Sequence, residues 1–271
     1  MKLIMFSNVK GGVGKTSSTL LTAYELASRG KKILIIDADL QSNCTQLLYK
    51  SYHEHKTLLN AIIDSTPLNE LIVKSPNEKY PNIDLVPADI DQLFLAGEHL
   101  SAKTARETVI ARYLGANIST LNQYDYVFVD LAPSIDILTR NFIYVADSLV
   151  IPIAHGDVSA LRGANRFISL LKRDLKDLGM QDNIKKVAFI SKHQNYRREM
   201  FTIFNKFLNS EAFTELKGMM LDSYIDNTTK VEQAVIYKLS IKDYLKSKKQ
   251  KHIISTQMDN FVNELIEKGV L

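Results

Sequence analysis

Apolar runs alternate with helix-like patterns along most of this chain. Short aliphatic runs predict strands at residues 2–7, 32–36, 83–86, 126–129, 149–153 and 187–190. Several of these runs are continuously apolar, as strands covered on both faces require. Helical patterns fall between or after them, at 14–28, near 103–114, at 136–146 and at 158–178. The alternation predicts an α/β fold with a doubly wound, mostly parallel twisted sheet flanked by helices.

The chain is expected to be mainly helical from about residue 195 onward. Its last segment places apolar side chains on one helical face, at Ile254, Met258, Phe261, Val262, Leu265 and Ile266. This spacing predicts a helix that docks on the rest of the molecule. No linker rich in Gly, Ser or Pro divides the sequence, and open α/β folds often exceed about 200 residues. We therefore expect residues 1–271 to form a single domain.

Composition narrows the class of protein. The 271 residues are 45% hydrophobic and 24% charged, which is ordinary for a globular chain with one large core. The start lacks a signal-peptide pattern and no run of about 18 apolar residues occurs, so we expect a cytoplasmic protein that does not bind membranes. The lone Cys44 excludes an intramolecular disulfide and an iron–sulfur cluster that needs several cysteines.

Charge is distributed unevenly. The formal net charge of +4 is too small to indicate nucleic-acid binding by itself. Residues 230–251, however, include seven lysines and only two acidic residues, which gives a local net charge of +5. One end of the chain is therefore basic.

A glycine-rich loop carries the clearest chemical signal. The sequence KGGVGKT at 10–16 follows the first predicted strand and opens the first predicted helix, which is the context of a phosphate-binding loop. Glycine lets backbone N–H groups converge on phosphate oxygens, Lys15 would neutralise them, and the Thr16 hydroxyl could bind Mg²⁺. The candidate binding residues are Lys10, Gly11, Gly12, Val13, Gly14, Lys15, Thr16 and Ser17.

Acidic residues end two of the predicted strands. Asp37 and Asp39 follow the second strand, and Asp130 follows the strand at 126–129. Carboxylates at the carboxyl ends of parallel strands meet at one edge of a sheet, where they can serve Mg²⁺ and an attacking water. The candidate metal residues are Thr16, Asp37, Asp39 and Asp130.

These motifs together resemble the ParA/MinD group of ATPases. The strict phosphate-loop pattern has glycine where this chain has Val9, and a second lysine, Lys10, lies inside the loop, as in the deviant loop of that group. Residues 37–43 (DADLQSN) resemble the ParA motif D-x-D-P-Q-x-N, and 130–134 (DLAPS) resemble D-x-P-P-S. Leu40 and Ala132 replace prolines of these motifs, which predicts less rigid loops and leaves the chemical groups intact.

The resemblance implies a mechanism and site roles. Members of the group close as ATP-sandwich dimers, in which Lys10 would reach the phosphates of the partner subunit. Lys10, Lys15 and Asp39 would be catalytic, with Asp39 orienting the hydrolytic water. Asp37 would support the Mg²⁺ shell, and Asp130 would hold Mg²⁺ through water. The expected cofactors are ATP and Mg²⁺.

The resemblance also implies partners. This chain is similar to the short ParA class, whose ATP-bound homodimers bind double-stranded DNA without sequence preference and partition it. A ParB-like centromere-binding protein would stimulate slow ATP hydrolysis, and the protein would associate with the nucleoid. The candidate DNA-binding residues are Arg197, Arg198, Lys246, Lys248, Lys249 and Lys251.

Two alternatives stay open at this stage. A MinD-like positioning ATPase would act on a membrane or another scaffold, typically through a basic amphipathic terminal helix. The terminal helix here has a local net charge of −2, and MinD-like loops tend to have glycine at the position of Val9. A metabolic ligase of the dethiobiotin synthetase type would share the fold but would turn over without DNA or a protein partner.

Overall fold

The computed structural model of this protein describes residues 1–49, 55–194 and 198–271. Its described part contains one seven-stranded sheet in the order β3-β2-β4-β1-β5-β6-β7, and the paired strands are parallel. The strands are β1 (Lys2–Phe6), β2 (Ile33–Ala38), β3 (Ile83–Val86), β4 (Tyr126–Leu131), β5 (Ser148–Ala154), β6 (Lys185–His193) and β7 (Met220–Asp226). The predicted doubly wound parallel sheet is confirmed.

Helices connect and cover the strands. They are α1 (Lys15–Ser28), α2 (Asn43–Leu48), α3 (Leu58–Asp64), α4 (Leu68–Leu71), α5 (Ile90–Ala102), α6 (Val109–Ala116), α7 (Ile118–Leu121), α8 (Ile137–Ile143), α9 (Val158–Asp177), α10 (Arg198–Leu208), α11 (Thr214–Gly218), α12 (Thr229–Ile236), α13 (Ile241–Ser247) and α14 (Ile254–Glu267). None of these described helices combines the length and apolarity needed to cross a membrane.

The core lies on both faces of the sheet. Successive side chains of β1 point to opposite faces, so Leu3 and Met5 join one apolar cluster while Ile4 and Phe6 join the other. The first cluster packs beneath α5, α6, α8 and α9, and the second packs beneath α1 and α12 to α14. This double cover explains why the central strands are continuously apolar.

Strand β7 was not predicted from the sequence. It is the outer strand of the sheet, and only Leu221 and Ile225 of its seven residues are buried. The carboxylate of Glu264 on α14 accepts hydrogen bonds from the backbone N–H groups of Asp222 (2.9 Å) and Ser223 (2.8 Å). The free edge is thus partly capped. The segment from 198 onward is helical apart from this strand.

Strand order reverses at β1, which lies between β4 and β5. Connections on the two sides of β1 leave in opposite directions, and a crevice opens beyond its carboxyl end. The glycine-rich loop follows β1, so the topology places it in that crevice.

Candidate nucleotide-binding site

The loop between β1 and α1 has a backbone that requires glycine. Gly12 and Gly14 have φ angles of 76° and 88°, in the left-handed region that other residues enter only with strain. Gly14 is also the N-cap residue of α1, and no side chain caps this helix. The first amides of α1 therefore remain for a ligand, as an anion site at a helix N-terminus requires.

Buried hydrogen bonds hold the loop in place. Asn8 donates from Nδ2 to the Pro152 carbonyl (2.9 Å) and accepts at Oδ1 from the Lys10 N–H (3.0 Å). Ser191 at the end of β6 donates from Oγ to the Val13 carbonyl (2.7 Å). The side chain of Val13 lies in the core with 1% exposure, so Val13 can contribute only its backbone to a ligand.

The predicted carboxylates converge beside the loop. Asp37 and Asp130 lie opposite each other on the neighbouring strands β2 and β4, and both are fully buried. Thr16 donates from Oγ1 to Asp130 Oδ2 at 2.6 Å, which ties the loop to β4. Cys44 packs against the same carboxylate, with Sγ 3.5 Å from Oδ2, and burial raises the pKa of its thiol.

Asp37 holds the segment that follows β2. Its Oδ2 accepts from both the N–H and the hydroxyl of Thr45, each at 2.8 Å, and its Oδ1 accepts from the Asp39 N–H at 3.2 Å. Asp39 in turn accepts from the Gln41 N–H at 2.9 Å. Asp37 therefore fixes where Asp39 lies, a role consistent with support for a metal shell rather than with direct ligation.

Burial perturbs the charges of this cluster. Desolvation, with a smaller contribution from Asp130, raises the pKa of Asp37 to about 7. Desolvation likewise raises the pKa of Asp130 to about 6, although the Thr16 hydrogen bond opposes the rise. Burial lowers the pKa of the Lys15 ammonium, and Asp130 and Asp39 oppose that change. Two buried carboxylates beside one lysine favour an additional cation.

The donors fit Mg²⁺ held together with phosphate. Thr16 and Asp130 offer oxygen ligands of the kind that Mg²⁺ prefers. Among the described residues, no three acidic, His or Cys side chains form a cage that could hold a metal by themselves. Mg²⁺ usually takes one or two protein oxygens and completes its shell with phosphate and water, so the arrangement fits the ion only when a nucleotide is bound.

One cavity collects most of the predicted site. We call it the phosphate cavity, and it is lined by Gly11, Gly12, Gly14, Lys15, Thr16, Ser17, Asp39, Gln41, Asn43, Pro133 and Lys192. Lys15 and Asp39 are buried at its wall, with 6% and 4% exposure. Lys10 is exposed to solvent, and within the described residues its ammonium has no ion-pair partner.

Sequence reasoning missed an adjoining cavity. This base-side cavity is lined by Gly14, Ser17, Ser18, Leu21, Ser191, Lys192, Ile225, Asp226, Asn227, Thr228, Val231, Glu232, Met258 and Phe261. These residues come from the loop, α1, β6, β7, α12 and α14, which are far apart in sequence, so no short motif could reveal them. Apolar side chains and a few polar groups are typical of a pocket for an aromatic ring.

The wall of the base-side cavity is braced by stacked rings. His193 pairs through Nδ1 with Asp226 Oδ1 at 2.8 Å. The His193 ring lies 4.7 Å from that of His155, which stacks on Phe201 of α10 at 3.8 Å. Burial, followed by the neighbouring His193, lowers the pKa of His155 to about 4. The stack thus links the cavity to α10.

The predicted DNA-contacting residues lie on separate elements. Arg197 is outside the described residues, and Arg198 begins α10 although its side chain is not described. Lys246, Lys248, Lys249 and Lys251 are exposed at or just after α13. The ammonium of Lys248 lies over the ring of Tyr237, 4.6 Å from its centre. Nothing in these contacts selects among the lysines.

A parallel sheet with a glycine-rich loop between its switch-point strand and a helix defines the P-loop NTPase fold. An AAA domain family model matches residues 1–186. Chromosome partitioning protein ParA of Caulobacter vibrioides is 31% identical over 175 residues, which are 64% of this chain and 63% of that protein. Sporulation initiation inhibitor protein Soj of Bacillus subtilis is 32% identical over 178 residues, which are 65% of this chain and 67% of Soj.

The chain belongs to the ParA-type family, and the predicted resemblance is confirmed. A solved structure agrees on the fold. Apo McdA from Cyanothece superposes with a TM-score of 0.78 at 20% identity, covering 98% of this chain and 99% of McdA. The match to ParA of C. vibrioides spans less than two thirds of that relative. The family match at residues 1–186 includes the glycine-rich loop, Asp39 and Asp130.

Proposed function

We propose that this protein is an ATP-dependent DNA-partition switch. The observation that carries the proposal is the convergence of the glycine-rich loop and Asp39 on one cavity. Behind its wall Asp130 accepts a hydrogen bond from Thr16, and Lys10 of the same loop is exposed. Residues 1–271 act as one ATPase domain. The reaction is hydrolysis of ATP to ADP and phosphate, slow until a ParB-like partner stimulates it. Membership in a family that includes chromosome partitioning proteins supports this reading.

In this proposal the loop amides and Lys15 bind the β- and γ-phosphates. Thr16 and Asp130, which are joined by a 2.6 Å hydrogen bond, would together hold Mg²⁺. Mg²⁺ would neutralise developing charge on the phosphates. Asp39 accepts a hydrogen bond from the attacking water, and Asp37 keeps Asp39 in position through its contact with the Asp39 N–H.

Lys10 acts on the nucleotide of a second subunit. Its exposed ammonium has no ion-pair partner in the described part of the chain, while its backbone is fixed by Asn8. A lysine with a fixed base and a free end can neutralise phosphate charge across an interface, as an arginine finger does. ATP would therefore convert a monomer into a homodimer.

The dimer binds double-stranded DNA without sequence preference and resides on the nucleoid. Exposed lysines 246, 248, 249 and 251, with arginines 197 and 198, are the candidate phosphate contacts. Two chains in one dimer double the number of such contacts, so DNA binding depends on the ATP state and weakens steeply with salt. Nucleotide hydrolysis then releases the DNA.

A mobility-shift assay at low salt tests the proposal. We expect a random-sequence duplex to be retarded with ATP and Mg²⁺ and to run free with ADP. Equal retardation with both nucleotides would refute the switch. A Lys172→Ala variant serves as a control for general charge loss, since Lys172 pairs with Glu215 on the outer surface of α9.

The two alternatives make different demands on the molecule. A MinD-like membrane switch needs a helix with a free apolar face, and α14 does not offer one because it buries Ile254, Met258, Phe261, Val262 and Leu265 in the core. A metabolic ligase would cleave ATP only in the presence of a small carboxylate substrate, and its turnover would not respond to DNA. Turnover that is independent of DNA and partner but needs such a substrate would favour the ligase.

A further inference from the structure

Lys192 lies where the two cavities of the site meet. It is the next-to-last residue of β6 and lines both the phosphate cavity and the base-side cavity. Gly14 and Ser17 are the other residues common to both linings, and they supply the glycine loop and the first turn of α1. Lys192 therefore faces this loop from the opposite wall.

The backbone of Lys192 is held in an unusual conformation. Its φ angle of 53° lies in the left-handed region, which a lysine enters only with strain. The residues on both sides are anchored: Ser191 donates from Oγ to the Val13 carbonyl, and His193 pairs with Asp226. The surrounding contacts thus fix the direction in which the chain turns at Lys192.

The charge of Lys192 is uncompensated. The residue is exposed, and its ammonium has no ion-pair or hydrogen-bond partner within the described residues. Lys238 has a similar φ of 56°, but its ammonium donates to the Leu48 carbonyl at 3.0 Å. A strained residue with a free charge at a cavity junction points to a ligand of opposite charge.

We propose that Lys192 binds the α-phosphate of the nucleotide in its own subunit, while its aliphatic stem covers the ribose. If the β- and γ-phosphates occupy the phosphate cavity and the base occupies the other, the junction receives the ribose and the α-phosphate. An ammonium there forms a charge-assisted hydrogen bond with a phosphate oxygen. This inference rests on the proposed nucleotide-binding function, and it adds a lysine outside the glycine-rich loop.

The test measures binding by calorimetry, which leaves the ribose unmodified. Lys192→Met keeps the length of the stem and removes the charge. We expect about tenfold weaker binding of ATP, ADP and AMP, because one charged hydrogen bond is lost. Adenosine, which has no phosphate, should bind Lys192→Met and the wild type equally. Lys192→Arg should restore most of the ATP affinity.

Further outcomes separate the possibilities. Lys238→Met, the matched control, should leave ATP affinity unchanged. Unchanged ATP affinity in a folded Lys192→Met variant would overturn the inference, and so would an equal loss for adenosine and ATP. A wild-type protein that binds no nucleotide would overturn the proposed function and this inference with it. Lys192→Asn, which tolerates the left-handed backbone better, should also weaken ATP binding while its melting temperature stays at or above that of the wild type.

Discussion

The two cavities of the candidate site are built in different ways. The phosphate cavity is made mainly from two short segments, the loop 10–17 and the stretch 37–43, each following a buried strand. The base-side cavity gathers residues from six elements between Gly14 and Phe261. The residues of the phosphate cavity are therefore close together in the sequence. The base-side cavity forms only when β6, β7, α12 and α14 pack together.

This difference has a chemical cause. Phosphate is recognised by backbone amides and by a few fixed charges, so its site needs particular residues at particular spacings. A purine ring is held largely by shape and apolar contact, which many side chains can supply. Mutations in the two cavities should therefore differ in which part of the nucleotide they affect.

The largest effect is expected for Lys10→Ala, which leaves both cavities intact. Because Lys10 is exposed and acts across the dimer, hydrolysis should fall about 1,000-fold while ATP affinity changes little. Steady-state turnover and calorimetry on the same preparation measure the two quantities. Lys217→Ala, another exposed lysine, should alter neither. Loss of ATP binding in Lys10→Ala would show that this lysine acts within its own subunit.

Lys15→Met should weaken binding in the phosphate cavity alone. The variant keeps a buried stem but removes the ammonium that faces Asp130 and Asp39, so ATP affinity should fall about 100-fold. Adenosine affinity should be unchanged, because adenosine does not reach the phosphate cavity. Calorimetric titrations with both ligands check the prediction. A parallel loss for adenosine would mean that the two cavities are not independent.

Val231→Phe should instead weaken binding in the base-side cavity. Val231 is half-buried and lines that cavity from α12, so a larger ring there should reduce ATP and adenosine affinity by a similar factor, about tenfold. Val231→Thr has nearly the same shape and should bind both ligands normally. The interpretation of the cavity fails if Val231→Phe binds adenosine as well as the wild type does.

The smallest effect concerns the pH dependence of stability. The buried carboxyls and the imidazole of His155 should change stability in opposite directions as the pH falls. Folding raises the pKa of Asp37 to about 7 and of Asp130 to about 6. Between about pH 4 and 7 the native carboxyls therefore bind more protons than unfolded ones, and acidification stabilises the nucleotide-free protein there. His155 has a native pKa of about 4 against about 6.5 when unfolded, so its contribution to stability is lost as the pH falls through that window.

His155→Phe removes the contribution of His155 to the pH dependence of stability, leaves that of the two carboxyls, and keeps a stacked ring. Relative to the wild type, the variant should gain stability as the pH is lowered from 7.5 to 5, by less than about 1 kcal/mol because His155 is partly exposed. Urea unfolding of both proteins at each pH gives the difference. Parallel pH curves would show that His155 protonates equally in the folded and unfolded states.

The fold could be predicted from the sequence because it depends on local patterns, and the residues proposed for the phosphate cavity came from patterns of the same kind. Continuous apolar runs identified β1 to β6, and the glycines and strand-end carboxylates identified Lys15, Asp39 and Asp130. Sequence reasoning missed β7, which lies at the sheet edge and buries only Leu221 and Ile225, so it has no continuous apolar run. It gave no reason to consider Lys192, because the left-handed backbone of this residue and the anchoring of Ser191 and His193 to distant elements are visible only in the structure.

The central claim is that ATP joins two copies of this chain through their phosphate cavities. Light scattering on Asp39→Ala, which should bind ATP without hydrolysing it, tests the claim most directly. With ATP and Mg²⁺ we expect a mass of about twice the 30.7 kDa of one chain, and the mass of one chain with ADP or without nucleotide. A mass that does not change when ATP is added would contradict the account.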